Sequence, residues 1–262
     1  EKLFAYSLIA ILILVLTLSG CRGKDSGGVT PPGPVLIIEE VEVPGATNFP
    51  TGRDDTVICA DVNYTYFMAK YQVTYGLWKE VYDWATDAER GDKRYQFENR
   101  GEMGGTPDFT VVKTRRHPVT GINWRDAVVW CNALTEYCNY RNGTNLVCVY
   151  TYNNNIVRDS TDENSCDNVA ELKTEKGFRL PTGMEWELAA RYKGDDSNDG
   201  AIQYPEGSGQ YWTPGSYASG ATGNYENEAA TTAVAWYSPN SGSSTHEVGG
   251  LTPNALGIYD MS

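Results

Sequence analysis

The chain from residue 177 to residue 191 reads GFRLPTGMEWELAAR, the pattern of a short strand, a stop and a helix. Phe178 and Leu180 flank a polar residue, which is the alternation of a strand, and Pro181 ends that strand because proline cannot donate to a sheet. Thr182 stands at the N-cap position with Glu185 three residues later, so we predict a capping box. The buried face of the helix is predicted to hold Met184, Leu188, Ala189 and Tyr192.

Two further helices are predicted from the same kind of signal. Thr74 is a suitable N-cap for a helix whose apolar residues recur at helical spacing: Leu77, Trp78, Val81, Tyr82 and Ala85. Asn123 caps a second helix, with Asp126 placed to favour its positive N-terminus. Its apolar face is predicted to hold Trp124, Ala127, Val128, Cys131, Leu134 and Cys138. Strands are predicted at 41–43, 63–68 and 146–152.

The 177–191 stretch resembles the F-R-L-P-T-x-x-E-W-E-x-A-A-R signature of the sulfatase-modifying-factor family, whose founding enzyme generates formylglycine. Further blocks follow in the family's order at 70–74 (KYQVT), 117–127 (HPVTGINWRDA), 234–242, 246–249 and 253–262. The resemblance covers about residues 60 to 262 and ends before the family's G-N-V-W-E-W block. It implies a single irregular α+β domain related to the C-type lectin fold.

Enzymes of this family oxidise a substrate cysteine to formylglycine with oxygen and a copper ion held by two cysteines. Those cysteines follow the G-N-V-W-E-W block, so the resemblance assigns no catalytic residue in this sequence. Two functions of different classes are therefore carried forward. The favoured one is a ligand-binding or display scaffold, and the alternative is copper- and oxygen-dependent oxidation of a sulfatase cysteine. A third hypothesis is an accessory structural lipoprotein of the envelope.

The first part of the chain predicts a lipid anchor. Residues 3–18 are almost wholly apolar, too short for a membrane span of about 20 residues but typical of a signal-peptide core. Leu18-Ser19-Gly20-Cys21 resembles a bacterial lipobox, in which Cys21 is lipidated after cleavage. We therefore predict a signal peptide at 1–20, a lipidated tether at 21–34 and the domain at 35–262, truncated at its C-terminus. The protein would be a membrane-anchored lipoprotein of the bacterial envelope, periplasmic or surface-exposed.

The charge balance narrows the choice of partners. The chain carries 34 acidic and 21 basic residues, a net charge of −13. Because no basic stripe is visible, nucleic acid is not an expected partner, and a protein or carbohydrate ligand is expected instead. Residues 193–232 are rich in glycine and tyrosine and lack periodicity, and loops of that length are often functional.

Two calcium sites are predicted. Asp195, Ser197, Asp199 and Glu206 have a spacing close to that of an EF-hand loop, with a solvated acidic turn as the plainer interpretation. Independently, the family resemblance places a structural calcium ligand at Asn240 and Ser241. His117 is a further candidate ligand or base, although a histidine before a proline at a strand edge is more often structural.

The six cysteines have separate predicted roles. Cys21 is the lipid site, and Cys131 lies among apolar positions as a buried thiol. An exported protein can keep disulfides, and the four remaining cysteines allow three pairings. Of these, Cys148 with Cys166 is preferred because it closes a local loop.

Overall fold

The computed structural model describes residues 15–16, 36–52, 58–104 and 112–262, so Cys21 and most of the predicted signal peptide and tether lie outside the described residues. The helices are α1 (Tyr75–Ala85), α2 (Trp124–Asn142), α3 (Glu163–Asp167), α4 (Gly183–Arg191) and α5 (Glu228–Thr232), with a 3₁₀ segment at Ala88–Lys93. The strands are β1 (Val15–Leu16), β2 (Glu40–Val43), β3 (Ala46–Thr51), β4 (Ile58–Val62), β5 (Tyr66–Ala69), β6 (Glu102–Met103), β7 (Val119–Thr120), β8 (Tyr150–Tyr152), β9 (Asn155–Ile156), β10 (Ala170–Glu171), β11 (Phe178–Arg179), β12 (Tyr192–Gly194), β13 (Ile202–Gln203) and β14 (Tyr211–Trp212).

The three predicted caps are confirmed, including the capping box of Thr182 and Glu185 at the start of α4. The Thr74 hydroxyl accepts a hydrogen bond from the Leu77 amide at 3.2 Å. Asn123 and Asp126 form a reciprocal capping box at the start of α2. Local side chains thus satisfy backbone N–H groups that a helix leaves free at its N-terminus, which is why these helix starts are readable from the sequence.

A four-stranded sheet lies between two cores, with the order β11-β1-β5-β2. On one face, Phe178 packs with α1 and α2 in the larger core. On the other face, Met68 packs with Leu188 of α4 and with Trp212. Side chains alternate across a strand, so neighbouring residues of β5 and β11 contribute to different cores. Smaller sheets, β10-β8-β9, β12-β14-β13, β3-β4 and β6-β7, surround this centre.

Helix α2 is buried over most of its circumference rather than along one stripe. Trp130, which the predicted face omitted, is fully buried and stacks on Trp78 with ring centroids 5.1 Å apart. Trp124, predicted to face inward, is 50% exposed. The prediction for Trp124 is wrong because Trp124 is the first residue of α2, whereas burial of the helix starts at Asp126.

The predicted strands are found with shifted bounds. Residues 63–68 contribute β5 at Tyr66–Ala69, and 146–152 contribute β8 at Tyr150–Tyr152. The glycine- and tyrosine-rich 193–232 segment carries β13, β14 and α5. Trp212 of β14 is buried against Phe49, with centroids 5.7 Å apart. Aromatic packing therefore orders a segment that lacks sequence periodicity.

The predicted fold class is confirmed: the described chain is one domain of mixed helix and strand. Its helices α1, α2 and α4 cover the two faces of the central sheet, and much of the remaining chain is irregular. Within the described residues, no helix is both long and apolar enough to cross a membrane.

Candidate functional site

The signature stretch positions a buried ion pair. Arg179 of β11 donates to both carboxylate oxygens of Glu185, from Nη1 at 2.8 Å and from Nη2 at 2.5 Å. The same carboxylate accepts from the Thr182 amide at 2.7 Å and from the Tyr64 hydroxyl at 2.8 Å. The Tyr66 hydroxyl donates to the backbone carbonyl of Glu185. Strand, cap and helix are therefore joined through one carboxylate.

Arg179 and Glu185 stabilise each other's charged form despite their burial. Burial by itself would raise the pKa of Glu185, but the hydrogen bonds from Arg179 and from the Thr182 amide outweigh it, and the pKa is lowered. For Arg179, burial acts to lower the pKa, yet the contact with Glu185 raises it. Burial and the Glu185 carboxylate together raise the pKa of Tyr64 to about 12. These groups hold α4 in place and stay in fixed charge states near neutral pH.

The C-terminal half of α4 forms one wall of a cleft with a volume of about 380 Å³. We call it the α4 cleft. It is lined by Gly52, Trp186, Glu187, Ala190, Arg191, Thr213, Pro214, Gly215, Tyr217, Ala218, Ser219, Met261 and Ser262. Residues from α4, from the β3 end, from the segment after β14 and from the last residues of the sequence thus meet here.

Arg191 fixes the walls of the α4 cleft relative to each other. Its Nε donates to the Thr213 carbonyl at 2.9 Å, and its Nη1 donates to the Gly52 carbonyl at 3.2 Å. Glu187 accepts from the Gly52 amide at 2.7 Å and lies 3.4 Å from Arg191. The Arg191 side chain is only 7% exposed and its guanidinium is bonded to backbone carbonyls, so it braces the cleft instead of presenting a free cation to an anion.

The floor of the α4 cleft is tied to the end of α4. The Ser219 hydroxyl donates to the Ala190 carbonyl at 2.6 Å, and the Ser262 hydroxyl accepts from the Ser219 amide at 2.8 Å. Asn254 donates to the Ala189 carbonyl at 2.9 Å. The cleft is therefore preformed, with aromatic and small apolar side chains around a braced carboxylate. A preformed concave surface that combines apolar side chains with a few fixed polar groups suits ligand binding.

The predicted calcium residues Asn240 and Ser241 lie elsewhere, in a turn beside a stacked Trp236–His246 pair whose ring centroids are 3.8 Å apart. The Asn240 Oδ1 accepts from the Tyr237 amide at 2.7 Å, and its Nδ2 donates to the Ala235 carbonyl at 2.8 Å. Asn240 thus closes a turn with both ends of its amide. Calcium at this position stays a prediction.

In the predicted EF-hand-like loop at 195–206, a lysine side chain already lies next to the carboxylates. The Lys193 ammonium lies 3.1 Å from Asp196 and 3.8 Å from Asp199, and Asp196 also accepts from the Asn198 amide at 3.0 Å. The structure does not gather Asp195, Ser197, Asp199 and Glu206 around one point: across the described part of the chain there is no group of three or more acidic, histidine or cysteine side chains that could hold a metal ion. These donors fit a solvated acidic turn better than a calcium loop, and the ion there stays a prediction.

His117 occupies a structural position. Its ring is buried, and Nδ1 lies 3.0 Å from the Thr245 hydroxyl. Burial lowers its pKa below the usual value, which keeps the imidazole neutral. Its carbonyl accepts from the Tyr75 amide at the start of α1 at 2.8 Å, so His117 joins α1 to the 245 region.

The preferred disulfide is wrong. Cys148 and Cys166 are free thiols, as are Cys59 and Cys131. The Cys148 thiol lies 3.5 Å from the Asn132 carbonyl, and the Cys166 thiol 3.4 Å from the Asp159 carbonyl. Each contacts a different backbone segment, which the loop-closure argument could not foresee. Burial raises the pKa of Cys148 to about 12 and that of Cys166 to about 11, whereas reactive cysteines have lowered values. Cys131, predicted to be buried, is fully buried.

Comparison with known families agrees with the signature and the fold. The model of the sulfatase-modifying factor enzyme 1-like domain matches residues 34–262. The chain belongs to this family. The match begins at the predicted end of the tether, although the cleavage and lipidation predicted for residues 1–34 stay predictions.

Three relatives place the chain within this family. It is 27% identical over 268 residues to a protein of Paenibacillus barcinonensis called Chaperone protein LppX, covering 96% of this chain and 76% of that protein. The crystal structure of CarF is similar with a TM-score of 0.59 and 27% identity, covering 87% of this chain and 78% of CarF. Treponema denticola variable protein 1 is similar with a TM-score of 0.55 and 27% identity, over 84% and 68% of the two chains. These structures confirm the predicted family fold.

Sequence reasoning missed most of the α4 cleft. Trp186 and Glu187 were within the quoted signature, but the predicted role of that helix was its buried face. Met184, predicted to be buried, is 44% exposed, whereas Glu185 and Arg191 are buried. Both carry charges, which sequence rules place at the surface. The sequence does carry one signal of the buried ion pair: Arg179 and Glu185, which have opposite charges, flank the cap residue Thr182.

Proposed function

We propose that this chain is a binding member of the family without catalytic activity of its own, held at the bacterial envelope through a lipid on Cys21. Its ligand site is the α4 cleft, and its ligand is a segment of another polypeptide. The observation that carries this proposal is the cleft itself: it is preformed and lined by aromatic and apolar side chains, and its arginine is engaged by backbone carbonyls.

The nature of the ligand is supported by two further points. The relative from Paenibacillus barcinonensis is called a chaperone, a name that implies polypeptide clients for that protein. Trp186 and Tyr217 give the cleft aromatic surface, which is enriched where proteins bind one another. A net charge of −13 favours ligands with basic residues around an apolar centre.

The binding proposal is tested with a non-native polypeptide of known sequence. The lipid-free protein is mixed with fluorescein-labelled lysozyme that has been reduced and carbamidomethylated, a basic non-native chain, and complex formation is followed by fluorescence anisotropy. We expect Trp186→Ala to weaken binding at least tenfold. Trp124→Ala is the matched control, since Trp124 is an exposed tryptophan on α2 outside the cleft. Equal binding by both variants would overturn the assignment of the cleft.

The anchor is tested in cells with an alkyne fatty acid. Wild-type protein should take up the label and sediment with membranes, and Cys21→Ala should do neither. Uptake of label by Cys21→Ala would show that the lipid is attached elsewhere.

A second candidate function is the family's oxidation of a sulfatase cysteine to formylglycine, which family membership favours. It needs a copper site that the resemblance places after Ser262, and no step of it is assigned to the residues described. Its test is direct: a sulfatase-motif cysteine peptide is incubated with the protein, copper and oxygen. Conversion of the cysteine to an aldehyde would establish the oxidase and overturn the proposal of a non-catalytic protein.

A further inference from the structure

The central sheet has an unusual middle strand. The two residues of β1 pair with β5 on one side and with β11 on the other, antiparallel in both cases. Val15 lies opposite both Met68 and Arg179, and Leu16 lies opposite both Phe67 and Phe178. Strands β5 and β11 therefore run parallel to each other, two strand spacings apart, which is about 9–10 Å. The Phe178 amide donates to the Thr135 hydroxyl at 2.9 Å, and alternate amides of β5 bond to β2. The remaining backbone groups on the two facing edges depend on β1 for their hydrogen bonds.

These facing edges lie deep in the fold. Met68 and Tyr66 of β5 are fully buried, as is Phe178 of β11, and Arg179 is 1% exposed. Buried backbone N–H and C=O groups are almost always paired. A sheet between two cores that lacks its middle strand therefore leaves buried donors and acceptors unpaired on both facing edges, over the two positions of each strand that β1 contacts. We call the space between β5 and β11 the strand slot.

The strand slot is filled by a part of the chain that the proposed cleavage removes. Val15 and Leu16 lie within residues 1–20, before the lipobox cysteine at position 21. A protein processed at that point keeps β5 and β11 but loses β1. Processing thus converts a filled slot into one that can accept a strand.

We propose that the strand slot of the processed protein is a second binding site, distinct from the α4 cleft, for an extended apolar segment of another polypeptide. The segment enters antiparallel to both β5 and β11 and completes the sheet, a form of strand addition. This proposal rests on the proposed cleavage before Cys21, and not on the assignment of the α4 cleft.

The chemistry of the bound segment follows from the sequence around β1, the strand that fills the slot. Residues 9–16 of the chain, IAILILVL, are apolar throughout, and the pair at 15–16 is accepted in extended form on both sides. The walls add no free charge, since Arg179 is paired with Glu185. Main-chain hydrogen bonds on two sides give affinity without a fixed sequence, so the slot selects apolar, β-forming segments without proline.

The test compares the chain with and without residues 1–20. A fluorescein-labelled peptide carrying the sequence of residues 11–18, flanked by lysines for solubility, is titrated into each protein. We expect it to bind the chain from residue 21 at least tenfold more tightly than the full chain, whose slot is already filled. The matched control is the same peptide with the substitutions Val15→Pro and Leu16→Pro, which remove N–H donors and should abolish binding.

Hydrogen exchange locates the bound peptide. The Phe178 amide, which donates to the Thr135 hydroxyl at 2.9 Å, is the internal control. In the chain from residue 21, the Arg179 amide and the amides of 66–69 that face the slot and not β2 should exchange faster than in the full chain and regain protection with the peptide. Equal peptide binding by both chains, or protection of these amides without peptide, would overturn the proposal. Protection that rises with protein concentration would assign the slot to a second copy of the chain, which also contradicts it.

If the chain from residue 21 does not fold, the full chain can be cut in the tether after it has folded. A protease site is placed in the tether at 22–34 and cut after folding. The proposal expects the leader fragment to stay bound until excess labelled peptide displaces it. Immediate loss of the fragment with β5 and β11 still protected would overturn the proposal. Trp186→Ala should leave peptide binding to the slot unchanged, so failure of the cleft assignment and failure of the slot are separate results.

Discussion

Glu185→Ala removes a carboxylate that is fully buried and that accepts two hydrogen bonds from Arg179 and one each from Thr182 and Tyr64. The substitution leaves the Arg179 guanidinium buried without its counter-charge. It also removes half of the α4 capping box.

The magnitude follows from the burial of the pair. Removing one partner of a buried ion pair costs about 3–5 kcal/mol, a large fraction of the roughly 5–15 kcal/mol that stabilises a typical domain. Glu163→Ala is the matched control: Glu163 pairs with Arg125 but its side chain is 71% exposed, so its loss should cost about 0–1 kcal/mol. The two carboxylates thus separate the effect of burial from that of charge pairing alone.

The assay is equilibrium urea unfolding, followed by tryptophan fluorescence at neutral pH. The double variant Arg179→Met with Glu185→Ala removes both charges, so it should lose less than the single variants Arg179→Met and Glu185→Ala added together, with a coupling energy of about 2–3 kcal/mol. The reasoning is refuted if Glu185→Ala loses no more than Glu163→Ala, or if the double variant is additive. Either result would mean that the pair is hydrated in solution.

Three further predictions concern stability and reactivity. Thr182→Ala removes the hydroxyl that accepts from the Glu185 amide at 3.2 Å and should lower the unfolding free energy by about 1 kcal/mol; no measurable loss would place the helix start elsewhere. Burial raises the pKa of Glu40 from 4.5 to about 7, so its contribution to stability is present below pH 4.5 and is lost as the pH rises to 7. Glu40→Gln should therefore be more stable than wild type at pH 8 and lose that advantage towards pH 4.5, and parallel pH profiles would contradict this. Cys148, whose pKa burial raises to about 12, should react with a thiol reagent at pH 8 only after unfolding, and rapid labelling of the native protein would contradict its burial.

Short-range chemistry could be read from the sequence. The capping boxes join residues three positions apart, Thr182 with Glu185 and Asn123 with Asp126. Such contacts need no knowledge of the rest of the chain, because backbone N–H groups at a helix start are free in any fold. The effect of Pro181 is equally local, since proline cannot donate to a sheet, although β11 already ends at Arg179. The family signature then supplied the fold class.

The burial of charged side chains could not be predicted from neighbouring residues. Arg179, Glu185 and Arg191 are polar residues that sequence rules place at the surface, yet each is at most 5% exposed. They are buried because partners arrive from distant segments, such as Tyr64, which lies 121 positions from Glu185. The cysteine pairing failed for the same reason, since Cys148 and Cys166 point to different backbone segments.

The helix starts, the strand before α4 and the family membership follow from the amino-acid sequence alone, because they depend on neighbours within a few residues or on an unbroken motif. The order of the central sheet, the strand slot and the α4 cleft depend instead on how distant segments pack. The cleft joins Gly52 to Glu187 across 135 positions, and the slot sets Leu16 between Phe67 and Phe178. Such contacts are fixed when two cores pack against one sheet, since burial and pairing must then be satisfied together.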